Sequence, residues 1–251
     1  MTDSPAAPRP HLIAGNWKMH GTATALAEIE AMAAAAASLP PHVTVAVCPP
    51  ATLIHRAAQV ARGRLVIGAQ DVHAEPCGAF TGCVSAEMLQ DAGATLVIVG
   101  HSERRAGHGE TDALVRAKAE AVLAAGMTAI VCIGETAAER DAGTALAVVG
   151  GQLDGSLPGS AERLVVAYEP VWAVGSGLTP TPEQITGLHA AIRTNLTARY
   201  GDAGERVAIL YGGSVKPDNA AALLGADNVS GALVGGASLT AADFLAIARA
   251  A

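Results

Sequence analysis

Eight short apolar runs alternate with longer helical stretches along the chain, and this alternation limits the possible folds more than any other feature. The runs are Leu12–Ala14, Val43–Cys48, Leu65–Gly68, Leu96–Val99, Thr128–Ile133, Leu164–Tyr168, Val207–Tyr211 and Ala232–Val234. They are rich in Val and Ile and nearly continuous in apolar character, as parallel strands buried on both faces are. The stretches between them carry helix boundary signals. Thr181 stands at an N-cap, Pro182 at the first helical position and Gln184 at the third, a capping box. Ile185, Leu188, Ile192 and Leu196 then follow at i+3/i+4 spacing until Gly201. Leu114, Lys118, Ala121, Val122 and Ala125 repeat the pattern before Gly126, and Thr240 to Asp243 opens the last helix in the same way. Alternating strands and helices predict an α/β fold with a parallel sheet. Eight such units within 251 residues, with no linker or composition break, predict a single closed (β/α)8 barrel over residues 11–251. The competing architecture, an open doubly wound sheet, normally carries GxGxxG after its first strand. Here Asn16–Trp17–Lys18–Met19 follows instead.

Composition excludes several function classes. The 16 basic and 23 acidic residues give a net charge of −7 without any Lys/Arg run, which argues against nucleic acid or an anionic membrane as the main partner. No apolar stretch reaches the roughly 18–20 residues of a membrane span. Residues 1–10 contain Asp3 and three prolines but no apolar core, so they read as a flexible leader and not as a secretory signal. Aromatic residues are only 3%, so the core must be built from Ala, Val, Leu and Ile. Cys48, Cys77, Cys83 and Cys132 form no CxxC and no zinc spacing with histidine. We expect free thiols in a reducing cytoplasm and no metal site.

A barrel of this kind places its active site at the C-terminal ends of the strands, so the residues that follow each strand are the informative ones. Strand one runs into Lys18, one of only three lysines, where a compact ammonium serves differently from the planar fork of arginine. Strand four runs into His101–Ser102–Glu103. Ser102 reads as an N-cap, and the helix dipole there should keep His101 neutral and a hydrogen-bond donor. Strand six ends in Glu169, followed by the apolar run Pro170–Val174 and then Gly175–Ser176–Gly177. Apolar surroundings should raise the basicity of Glu169, and the glycine-ended run suits a lid. Strands seven and eight end in Gly212–Gly213–Ser214 and Gly235–Gly236, where bare backbone N–H groups can approach a phosphate. Each of these features has a plainer reading when taken alone: a surface lysine, a structural histidine, an ordinary loop. Trp17 and Trp172 both lie in these segments, which core packing explains equally well.

Six segments taken together resemble the triosephosphate isomerase family. They are Gly15–Asn16–Trp17–Lys18–Met19, Val99 to Arg105, Cys132 to Thr136, Tyr168 to Ala173, Tyr211 to Val215 and Val234 to Leu239, each beside its own predicted strand, and the resemblance runs from His11 to the last helix. It implies a TIM barrel and a cofactor-free, metal-free interconversion of dihydroxyacetone phosphate and D-glyceraldehyde 3-phosphate, in glycolysis and gluconeogenesis. It further implies a cytoplasmic homodimer that binds neither nucleic acid nor membrane. By position, Glu169 matches the family's base, His101 its electrophile and Lys18 its cation. Asn16 matches a substrate contact, and Gly175, Ser214, Gly235 and Gly236 match the phosphate-gripping positions. Glu103 matches the acid beside the electrophile, Pro170–Thr179 the lid, and Tyr211 a residue that latches it. Another phosphate-binding barrel enzyme would share the glycine loops without requiring Lys18, His101 and Glu169 together. A non-catalytic relative acting as a binding or surface-adhesion protein would be marked by loss of one of the three, and none is lost.

The chain departs from the family pattern at a few positions. His20 and Asp71 stand where Asn is frequent, and we expect little effect from either. Cys83 stands where an acid is usual, in a loop resembling the one that reaches into a partner subunit. Loss of that carboxylate is expected to leave Arg104 short of a partner and to weaken the dimer, with Cys83 itself an accessible thiol.

Overall fold

A computed structural model describes residues 11–173 and 180–251 of the chain. Eight parallel strands close into a barrel in sequence order: β1 (His11–Asn16), β2 (Val43–Cys48), β3 (Val66–Ala69), β4 (Leu96–Val99), β5 (Thr128–Ile133), β6 (Leu164–Tyr168), β7 (Ala208–Tyr211) and β8 (Gly231–Val234). Each strand pairs with the next, and closure is made by β1 on β8, with Ile13 opposite Ala232 and Gly15 opposite Val234. The eight expected runs are thus the eight strands, displaced at their ends by at most two residues. The leader, residues 1–10, lies outside the described residues.

The helices are α1 (Leu26–Ala35), α2 (Ile54–Ala61), α3 (Ala86–Asp91), α4 (Ser102–His108), α5 (Asp112–Ala124), α6 (Ala137–Asp141), α7 (Ala145–Ser156), α8 (Pro182–Tyr200), α9 (Asp202–Arg206), α10 (Ala220–Leu224) and α11 (Ala241–Arg249). α8 begins with the expected capping box, Thr181 accepting from the Gln184 N–H while Gln184 reaches back to the Thr181 N–H. Thr240 caps α11 through the Asp243 N–H. The inward stripes differ from expectation by one position in two helices. In α5 Val115 is buried and Leu114 is exposed, and in α8 His189 is buried where Leu188 is only half-buried. An i+3/i+4 stripe has two acceptable phases, and the contact with the barrel selects one of them.

Strand alternation produces two cores. Inward-pointing Ala14, Ala46, Ile98, Ile130, Cys132, Ala167, Leu210 and Leu233 fill the barrel, while Ile13, Val47, Val99, Val131, Ile133 and Ile209 point outward into the helical layer. Small and branched side chains suffice to fill so narrow a barrel, which explains how 3% aromatic content is enough. All four cysteines are free, with Cys48 and Cys132 buried and Cys77 and Cys83 exposed. No helix among the described residues is long and apolar enough to cross a membrane.

Candidate active site

The C-terminal ends of β1, β4, β6, β7 and β8 enclose a cavity of about 550 Å3 lined by Asn16, Lys18, His101, Glu169, Ser214, Gly235 and Gly236 among others. Residues more than 200 positions apart in sequence thus meet because barrel closure puts all strand ends on one rim. Gly175 and the rest of the lid beyond Ala173 lie outside the described residues.

Lys18 enters the cavity on a left-handed backbone, φ 52°. For a residue with a Cβ that conformation costs about 1–2 kcal/mol, so it needs external support. Asn16 Oδ1 accepts the Lys18 N–H at 3.0 Å, and Gln70 Nε2 donates to the Lys18 carbonyl at 2.9 Å and to the Cys48 carbonyl at 2.8 Å. Gln70 is a supporting residue that local sequence gives no reason to select. The Lys18 ammonium pairs with Glu103 Oε1 at 2.5 Å, so Glu103 orients the cation as well as lying beside the imidazole, its Oε2 3.8 Å from His101 Nδ1. Trp17 is buried, and its indole N–H donates to the Ser238 carbonyl at 2.8 Å, which ties β1 to the loop after β8.

His101, not Ser102, caps α4. Its Nδ1 accepts the Glu103 N–H at 3.2 Å. The Ser102 N–H is thereby left for Glu169, whose Oε2 accepts it at 3.0 Å. The cap also settles the tautomer: an Nδ1 that accepts an N–H carries no proton, so the proton sits on Nε2. Nε2 faces Glu169 Oε1 at 2.8 Å. Burial lowers the pKa of His101, but the charge and hydrogen bond of Glu169, with Glu103 behind it, outweigh burial and hold it above the ordinary value. The helix dipole therefore does not decide the ring's charge alone; the Nδ1 acceptor bond is what favours the neutral form.

Glu169 is almost completely buried, 1% exposed. Burial by itself would raise its pKa, as its apolar surroundings suggested. The net shift is downward, because His101, the Ser102 N–H and Lys18 all stabilise the carboxylate. In this arrangement the group is ionised and weakly basic.

The glycines of the two loops serve different ends. A Cβ on Gly212 would press on the Glu169 side chain at 2.9 Å, and one on Gly213 would collide with the Tyr211 hydroxyl. Side chains at Gly235 and Gly236 would meet no close neighbour, so bare backbone there leaves room in the cavity itself. The Tyr211 hydroxyl is buried and has no hydrogen-bond partner among the described residues. At the described start of the lid, Glu135 Oε1 accepts from both the Trp172 indole at 2.8 Å and the Tyr168 hydroxyl at 3.1 Å. The Arg140 guanidinium lies 3.8 Å over the Trp172 ring. Glu135 belongs to a recognised segment, yet sequence assigned it no task.

Arg104 does not lack partners. Its Nη2 pairs with Asp71 at 2.7 Å and its Nε with Glu110 at 2.6 Å, so within its own chain Cys83 leaves it with two carboxylate partners, and Asp71 has a larger part than the minor one expected of it.

A closed parallel barrel whose rim joins a buried carboxylate, a tautomer-fixed imidazole and an ammonium beside two glycine loops defines an enzyme that moves protons on a small anionic substrate. The family model described as triosephosphate isomerase matches residues 11–251. The triosephosphate isomerase of Afipia carboxidovorans is 62% identical over 242 residues, covering 95% of this chain and 96% of that one. That of Bradyrhizobium diazoefficiens is 61% identical over 241 residues, with 95% and 96% covered. A crystal structure of triosephosphate isomerase from Bartonella henselae superposes with a TM-score of 0.90 at 46% identity, covering 96% of this chain and 98% of that one. The chain belongs to the triosephosphate isomerase family.

Proposed function

We propose that this chain interconverts dihydroxyacetone phosphate and D-glyceraldehyde 3-phosphate through an enediolate, with Glu169 as base, His101 as electrophile and Lys18 as the stabilising cation. The observation that carries the assignment is the 2.8 Å approach of Glu169 to His101 Nε2 inside a cavity that also holds Lys18. A proton on carbon beside a carbonyl is too weakly acidic to leave unless the oxygen is polarised. His101 Nε2–H donates to that oxygen, and Lys18 adds positive potential where negative charge develops. Glu169 takes the proton from one carbon and returns it to the next. A substrate oxygen that accepts the Nε2–H displaces the carboxylate from His101. With the His101 contribution removed, burial is opposed only by the weaker pulls of the Ser102 N–H and Lys18, so the basicity of Glu169 rises when it is needed. Asn16 contacts the substrate, and backbone N–H groups at Ser214, Gly235 and Gly236, with Gly175 of the lid, grip the phosphate. Tyr211 latches the lid. The chemistry requires no cofactor or metal.

The working form is a cytoplasmic homodimer without nucleic-acid or membrane partners. Support for pairing comes from a second groove of about 680 Å3 that shares Asn16, Lys18 and His101 with the cavity and includes Cys83 and Arg104. Around it Met19 is 94% exposed and Phe80 42%, apolar side chains that a partner would cover. The deciding experiment is turnover of D-glyceraldehyde 3-phosphate in metal-free buffer by wild type and Glu169→Asp. Fast turnover that collapses in the variant supports the assignment. No turnover by folded wild type overturns it in favour of a non-catalytic binding protein.

A further inference from the structure

The floor of the groove holds four charges that pair with one another, with Glu110 Oε2 left buried and without a hydrogen-bond partner among the described residues. Lys118 Nζ meets Asp71 Oδ1 and Glu110 Oε1, each at 2.6 Å, while Arg104 meets Asp71 Oδ2 at 2.7 Å and the same Glu110 oxygen at 2.6 Å. Two cations face two carboxylates, all from one chain. Lys118 and Glu110 are nearly inaccessible, 6% and 2% exposed in their side chains. The cations pull the Glu110 carboxyl below its ordinary pKa despite burial, as a closed quartet requires. Asp71, from the loop after β3, bridges both cations, as Glu110 does from the turn between α4 and α5. Without it Glu110 alone would face both, and the floor would carry one unpaired positive charge.

The loop on the rim of the groove has matching chemistry. From Pro76 to Val84 it has no charged side chain, and residues 76–83 are all exposed. It is already shaped: Cys83 N–H donates to the Phe80 carbonyl at 2.9 Å, and the Phe80 ring stacks on His73 at 3.9 Å. Were this loop to meet the groove of a second copy, two-fold symmetry would make the contact reciprocal. An uncharged loop can cover buried charges without penalty only if those charges are already paired.

We infer that Asp71 closes the charge of the groove floor from within the chain and so fits this surface to an uncharged loop of a second copy. The inference rests on the homodimer reading. It reverses the expected consequence of Cys83: a carboxylate there has no vacant cation to meet and acts as an intruder.

The test is the dimer dissociation constant measured by sedimentation for wild type, Asp71→Asn, Cys83→Glu and the double variant. Each single substitution is expected to weaken the dimer by ~10-fold or more, one by freeing a cation and the other by adding a lone anion. The double variant should return to within a few-fold of wild type, because the new anion meets the freed cation. Asp71→Glu, which keeps the carboxylate, should stay near wild type. Should Asp71→Asn fail to fold, Cys83→Glu, at an exposed position, decides alone: weaker association supports a closed floor, and tighter association overturns it. Additive losses in the double variant also overturn the inference while leaving the dimer intact. A wild type that is monomeric at every concentration overturns the homodimer reading, and this inference with it.

Discussion

His189 provides a stability switch that acts on the fold and takes no part in the chemistry. It sits on α8 with 0% exposure, its ring edge-on to Tyr168 at 5.8 Å between centroids. Nδ1 lies 3.2 Å from the Asn228 carbonyl and must carry the proton to donate to it, while Nε2 is buried with no partner among the described residues. A second proton on Nε2 would place a cation in an apolar site close to Arg193. Burial first, and the Arg193 charge in addition, lower the pKa from 6.5 to about 4, against the smaller upward pull of the Asn228 carbonyl. The unfolded chain therefore binds more protons than the folded one below pH 6.5, and stability is lost as pH falls from about 6.5 to about 4. The full shift corresponds to about 3 kcal/mol, of which about 2 kcal/mol is lost between about pH 7 and about pH 5. Urea unfolding followed by far-UV circular dichroism, at one protein concentration throughout, measures this directly. His189→Leu removes the titration. It costs ~1 kcal/mol at neutral pH through the lost hydrogen bond, but its stability should fall by about 2 kcal/mol less than that of wild type between about pH 7 and about pH 5. Other groups titrate alike in both proteins and cancel in the comparison. Parallel pH profiles for the two proteins would refute the reasoning.

Three further outcomes follow from the geometry. His101→Ala loses both the α4 cap and the Nε2–H donor, so kcat should fall by ~10²–10³-fold with the barrel still folded, checked by steady-state kinetics beside circular dichroism. Gly134→Ala drives a Cβ into the Glu169 carbonyl; moving the end of β6 should cost ~1–3 kcal/mol in urea unfolding and lower kcat together. Thr181→Ala breaks the exposed α8 capping box and should cost about 1 kcal/mol in the same unfolding assay without changing kcat, because Thr181 is not among the described residues that line the cavity.

Much of the architecture was legible because it is written in neighbouring residues. Apolar runs of strand length, the Thr181–Gln184 capping box and the Thr240 cap each depend on residues within a turn or a strand of one another, so sequence alone determines them. Eight such units also imply barrel closure, and closure collects Lys18, His101, Glu169, Ser214 and Gly235 on one rim. The departures share a single physical origin. Ser102 yielded its cap to His101, and the Ser102 N–H turned to Glu169, 67 residues away. Those donors reversed the shift that burial alone would give the carboxylate. Asp71 found Lys118, 47 residues away, and so changed the meaning of Cys83. Gln70 and Glu135 acquired their tasks through the Lys18 carbonyl and the Trp172 indole. Local backbone preference and periodicity are properties of adjacent residues and are determined before the chain closes. Which donor meets which acceptor across the rim depends on distances that only the closed barrel creates, and those distances set the charge on the base and the neutrality of the groove.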